Sequence, residues 1–171
     1  MRIPRLTLVV PGLLLFSVVC TSLFAQESDK MSYASLKESK FAANPALPSC
    51  VTAAVQHGDP SKGAAILVGK VTAGCNIPWH WHTYAENLVL ISGSGKAEMK
   101  DGTTHVLRSG DFAHLPGKQT HQFTCPVACT LYIMPEGAFD IHYVDKDGKE
   151  IPLEQAVKTP AKAAPKKKPA Q

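Results

Sequence analysis

From position 49 onward the chain alternates short apolar and β-branched runs with residues that favour turns. The runs span 50–56, 64–72, 87–92, 96–100, 103–107, 112–115, 119–124, 130–134 and 141–144. Turn chemistry separates them, as in His57-Gly58-Asp59-Pro60, Ser92-Gly93-Ser94-Gly95, Asp101-Gly102, Ser109-Gly110-Asp111, Pro116-Gly117 and Asp145-Lys146-Asp147-Gly148. Gly and Asn/Asp accept the left-handed backbone of tight turns, and Pro presets φ there. Nine short strands at this spacing predict an all-β sandwich or barrel. Residues 28–41, with Met31, Tyr33, Leu36 and Phe41 as their apolar positions, read as an N-terminal arm or a short helix within a segment 26–47. There is no internal repeat, no glycine-rich phosphate loop ahead of a helix, and no Gly-x-Ser-x-Gly elbow.

The two ends differ from this middle. Arg2 and Arg5 precede a nearly unbroken apolar stretch, which gives way to Thr21, Ser22 and Ala25. A charged start, an apolar run and small residues are the order of a secretory signal, so residues 1–25 are expected to be a signal peptide. An uncleaved membrane anchor is the alternative, weakened by Pro11-Gly12 within the run. Residues 151–171 are rich in Lys, Ala and Pro, offer little to bury, and are expected to be disordered.

Charge follows the same division. The 171-residue chain carries a formal net charge of +4. Seven of its 18 basic residues (Arg2, Arg5, Lys158, Lys162, Lys166, Lys167 and Lys168) lie in end segments that contain no acid. The remaining 11 face all 14 acids between residues 26 and 154. The folding region is therefore mildly acidic, which argues against a nucleic-acid partner. Export would place Cys50, Cys75, Cys125 and Cys129 in an oxidising compartment, periplasmic or secreted. Four cysteines allow three pairings. Cys125 and Cys129 flank Pro-Val-Ala between two strand-like runs, an arrangement suited to facing each other across a hairpin; Cys50 would then pair with Cys75.

The chemistry concentrates in Gly74-Cys75-Asn76-Ile77-Pro78-Trp79-His80-Trp81-His82-Thr83-Tyr84-Ala85-Glu86. His80 and His82 are two apart, so on a strand both imidazoles share a face. Glu86 lies four further on and returns to that face if the strand is regular or gently turned. Two imidazoles and a carboxylate suit a first-row transition metal, and His121 in a later run is the candidate fourth ligand.

This stretch resembles the first motif of the cupins. Gly74, His80, His82, Glu86 and Gly93 fill its positions, and Gly110, Pro116 and His121 resemble the second motif. Two departures occur: the second motif's glycine two after the proline is Lys118 here, and its closing asparagine is Cys125. The resemblance covers about residues 48–150, and the ending Gly137-Ala138-Phe139-Asp140-Ile141-His142-Tyr143-Val144 is similar to one branch of small bacterial cupins. It implies a double-stranded β-helix, or jelly-roll β-barrel, holding a divalent transition metal (Fe, Mn, Ni, Cu or Zn) near one mouth. It also implies a homodimer.

A three-histidine, one-carboxylate set would leave two positions open on an octahedral ion. A metal-dependent oxygenase of a small oxygenated or aromatic compound is the leading expectation. A non-catalytic metal or small-ligand binding module and a cupin isomerase or decarboxylase are the alternatives, because one fold hosts many activities. Glu86 is the candidate base. Tyr84 is a candidate substrate hydrogen-bond donor, or else packs at the rim. Trp81 is expected in the barrel wall and Trp79 near the mouth. His57, His105, His114 and His142 are expected to be structural or superficial.

Overall fold

The computed structural model describes residues 31–157, so the expected signal peptide and residues 158–171 of the expected tail lie outside the described residues. Nine strands and one short helix follow one another: β1 (Ala42–Ala43), β2 (Val51–Gly58), β3 (Ala65–Val71), β4 (Cys75–Trp81), β5 (Glu86–Met99), β6 (Thr104–Arg108), β7 (Phe112–Leu115), β8 (His121–Pro135), β9 (His142–Tyr143) and α1 (Leu153–Ala156). All strand pairings are antiparallel. The architecture is the all-β barrel expected from the run pattern.

The spine is the long ladder between β5 and β8. On its other edge, β5 pairs with β7 through its first residues and with β6 through its last. Likewise β8 pairs with β4 through its first residues and with β3 through its last. Each long strand thus serves two short ones, and the sheet curls until its apolar face closes on itself. Leu88, Leu90, Leu107, Phe123, Cys125 and Leu131 meet in that interior. Leu90 is fully buried, a burial that contributes roughly 1.5–3 kcal/mol.

Two pairs of predicted runs are therefore single strands. Ser92-Gly93-Ser94-Gly95 does not turn the chain back. It bends β5 through successive register shifts against β8. The burial pattern shows the effect: Glu86, Leu88 and Leu90 face inward before the bend, and Gly95 and Ala97 after it. One extra residue in a bulge reverses the alternation. Gly93 has φ +83°, and a Cβ there would lie 2.1 Å from the Ala128 carbonyl oxygen; one at Gly95 would lie 2.4 Å from the Phe123 ring. The glycines allow two long strands to bend against each other, which local turn chemistry does not distinguish from a hairpin. Similarly, Pro126, Val127 and Ala128 form an exposed kink within β8, and Cys125 and Cys129 are joined across it. The expected pair is present, but it closes a kink rather than a hairpin. The second disulfide joins Cys50 to Cys75.

β4 was not among the predicted runs, although its histidines were expected on a strand. Residues 31–41 form no helix; Glu38 N–H bonds back to the Ser35 carbonyl, and β1 then pairs with the outer edge of β2. Beyond residue 150 the chain stays attached for one more turn. Ile151 N–H donates to the Tyr143 carbonyl, and α1 buries Ala156. No described helix is long and apolar enough to cross a membrane.

Candidate metal centre

Two strands and the head of a third bring four buried polar side chains to one end of the barrel. His80 faces His121 in the register of β4 against β8, with ring centroids 4.3 Å apart. Between Ile77 and His80 the pairing slips, and Pro78 sits in the slip, where its missing N–H costs no ladder bond. The slip moves the inward face of β4 from the odd to the even positions, so that His80 and His82 point inside. The chain turns through Thr83-Tyr84-Ala85, and Glu86 opens β5 facing the same interior. His80, His82, Glu86 and His121 are all buried, and His121 is only 1% exposed.

The three imidazoles are held alike. Nδ1 of His80 lies 2.6 Å from the Pro78 carbonyl oxygen, Nδ1 of His121 lies 3.0 Å from that of Gln119, and Nδ1 of His82 bonds the Asp140 carbonyl. A carbonyl only accepts, so each Nδ1 carries the proton and each Nε2 is left with a lone pair. The candidate ligand atoms of the three rings lie within 4.8 Å of one another. Among the described residues, His121 Nε2 is the one buried side-chain polar atom without a hydrogen-bond partner. Burial holds all three rings below the usual imidazole range, with mutual repulsion adding for His80, so they stay neutral. Three neutral imidazoles with converging lone pairs, one of them otherwise unsatisfied, fit a transition metal.

Glu86 stands beside this trio. Its Oε2 lies 3.8 Å from His82 Nε2, and the close-set cluster consists of the three histidines. Burial pushes its carboxyl up to about 7. Below that pH a cation recruiting Glu86 must displace a proton, whereas the histidines are already deprotonated. Metal affinity is therefore expected to rise up to about tenfold per pH unit towards pH 7 and to level off above it. Titrations at pH 6, 7 and 8 would show this; a flat profile would mean that Glu86 stays outside the coordination sphere.

Tyr84 does not line the interior. It is 49% exposed and lies on an outer crevice with His82, Glu86, Phe139 and Asp140. Its ring packs so closely on Gly137 that a Cβ there would sit 2.4 Å from it. Rim packing describes its place. Trp81 faces outward and stacks on His142 at 3.9 Å, and Lys100 lies 5.2 Å from the Trp79 ring centroid. His57, His105 and His114 are exposed, and His114 bonds Asn87.

Sequence reasoning missed the role of residues 136–141. This segment straps the mouth: Glu136 N–H bonds the Ala85 carbonyl, Phe139 N–H bonds the Pro60 carbonyl, and Asp140 Oδ1 accepts from Thr83 N–H. The same Asp140 orients His82 through its carbonyl and meets His142 through Oδ2 at 3.3 Å. The 137–144 ending was visible as a pattern, but nothing local to it indicates contact with a histidine 58 residues earlier.

Lys118 accounts for one departure from the motif. With φ 61° it is the one non-glycine residue with positive φ among the described residues, and its N–H donates to the His82 carbonyl at 2.7 Å. The backbone there has kept the shape a glycine would take without strain. Lys118→Gly is expected to stabilise the protein by about 1 kcal/mol, because a side chain in that region costs roughly 1–2 kcal/mol. Denaturant midpoints compared with wild type would test it, and a loss of stability would refute it.

The chain matches the Cupin domain family over residues 67–135. No curated protein matches it. Among solved structures it is similar to an RmlC-like cupin protein from Ralstonia eutropha JMP134, at TM-score 0.59 and 16% identity, covering 75% of this chain and 86% of that one. It is also similar to the polyketide cyclase RemF from Streptomyces resistomycificus, at 0.56 and 15%, covering 70% and 90%. A third similar structure is a candidate acetylacetone dioxygenase from Methylibium petroleiphilum PM1, at 0.56 and 18%, covering 71% and 86%. At such identities the likeness speaks for the fold, and it agrees with the family match and with the motif positions. Over residues 67–135 the barrel carries a Cupin domain, and its fold is that of the RmlC-like cupin it resembles.

Proposed function

We propose that this cupin is an exported metal-dependent oxygenase of a small oxygenated compound. The observation that carries the metal-dependent part is the trio of buried imidazoles, each with Nδ1–H tied to a backbone carbonyl and Nε2 free towards the others. His80, His82 and His121 would hold the metal, with Glu86 as the fourth ligand. Three neutral donors and one carboxylate would leave a divalent ion with a single net positive charge and open positions. A bound transition metal would supply Lewis-acid activation of an oxygen-donor substrate and a redox centre for dioxygen.

The chain's own residues do the rest. The backbone carbonyls of Pro78, Gln119 and Asp140 fix ring orientation and tautomer. Below the histidines an apolar interior, with Val51, Leu88, Phe123 and Leu131 in its wall, keeps water from the reacting end. When not coordinated, Glu86, whose Oε2 lies 3.8 Å from His82 Nε2, would take a proton from a substrate O–H or acidic C–H entering there. The similar acetylacetone dioxygenase candidate motivates including short diketones among the substrates tried. Export is supported by the residue order of positions 1–25 and by two disulfides in the barrel.

The test is dioxygen uptake by protein loaded separately with iron, manganese, nickel and copper, against short diketones, keto acids and catechol. Uptake matching substrate loss with one of these metals is the expected result. Tight metal binding with no uptake across the panel would overturn the oxygenase reading.

A further inference from the structure

Residues 136–141 set what the interior can admit. The cavity beneath the histidines has a volume of about 50 Å³, well below the roughly 150 Å³ of a cavity that admits benzene. Its polar end is His80, His82, Glu86 and His121, and the rest of its wall is apolar. Outside lies the crevice with Tyr84 and Asp140, too narrow to hold a water. His82, Glu86 and Phe139 line both spaces. Phe139 is thus the one side chain outside the four-residue polar set that separates the interior from the crevice. Its ring lies 5.4 Å from that of His82, centroid to centroid.

The strap holds this ring in place at several points. Phe139 N–H reaches the Pro60 carbonyl at 2.7 Å, fixing the strap to the turn between β2 and β3. On one side of Phe139, Gly137 lies flat on the Tyr84 ring, an approach that only glycine permits. On the other side, Asp140 is bonded to Thr83 N–H and to His82.

We propose that Phe139 is the size-determining residue of the site, restricting it to ligands with one oxygen-donor end and an apolar body of a few carbon atoms, and excluding aromatic rings. This inference rests on the metal reading above. A donor group satisfies the polar end. A short alkyl body fills the apolar remainder, where an additional polar group would find no partner and cost binding. A six-membered ring exceeds the space until the Phe139 side chain is cut back.

The test uses cobalt(II)-loaded protein, whose visible spectrum reports ligands entering at the metal, with cobalt content measured in the same samples. Acetate and benzoate are the probes, because they share a donor group and differ in the body. Wild type is expected to bind benzoate at least about tenfold more weakly than acetate. Phe139→Ala is expected to tighten benzoate by about tenfold or more, within the range that hydrophobic-pocket size discrimination reaches. Acetate affinity and cobalt content should stay nearly constant, with Phe139→Leu intermediate, which also covers the case of an alanine variant that fails to fold. Equal binding of both probes by wild type, or an unchanged ratio in both variants, would overturn the size limit alone. Failure of wild type to retain cobalt would overturn the metal reading and this inference with it.

Discussion

His82→Ala is expected to lower the affinity for a transition metal by more than about a hundredfold. Loss of groups that merely orient a ligand costs about 10–100-fold, and His82 would be a ligand itself. It is also the best-braced of the three, with Nδ1 tied to Asp140 on the mouth strap and Nε2 turned towards Glu86. The change should leave the barrel folded, because His82 lies just past the end of β4 and contributes little to the packed apolar core. His114→Ala is the control: that imidazole is exposed and bonds Asn87 on the outer surface. Elemental analysis of both variants and wild type, purified in parallel, provides the measurement. Equal metal content in His82→Ala and wild type would remove the site assignment.

The second large effect concerns the other end of β4 and the middle of β8. Cys75 lies across from Cys125 in the β4–β8 register, so the two disulfides are neighbours, five residues of β4 away from His80. The Cys50–Cys75 bridge closes a loop with a sequence separation of 25. Opening a loop of that length is expected to cost about 3.5 kcal/mol, in the account where the cross-link restricts the unfolded chain. The double variant Cys50→Ala, Cys75→Ala should then melt about 10 °C below wild type. The Cys125–Cys129 bridge closes a much shorter loop, so its removal should cost about 2 kcal/mol. Thermal melts of the two double variants would test the order, and a larger loss on removing Cys125–Cys129 would contradict it. Metal content should survive the first change, because no cysteine is in the histidine cluster.

Much of this molecule is local in origin. The all-β class follows from short β-branched runs broken by turn residues. The spacing of His80, His82 and Glu86 follows from strand periodicity, and the family resemblance adds His121. The cysteine pairing was also reachable, since Cys125 and Cys129 are close in the chain. What misled was turn chemistry: glycines at 93 and 95 read as a reversal because the same freedom that allows a turn allows a bulge. Only the partner strand distinguishes the two, through contacts such as Phe123 against Gly95 and Ala128 against Gly93.

The sequence by itself determined the strand content and the spacing of the candidate donors, because each depends on residue identity and short-range geometry, whereas the positive φ of Lys118, which its residue type disfavours, goes with a tertiary bond to the His82 carbonyl. The tertiary structure alone decided which atoms hold the histidines in their tautomer, where Tyr84 comes to rest, and how small the interior is. Asp140 reaches His82 across 58 positions, and Phe139 closes a cavity whose walls come from most of the strands. Such contacts form only when the sheet curls closed, and closure is a property of the whole ladder between β5 and β8 rather than of any segment within it.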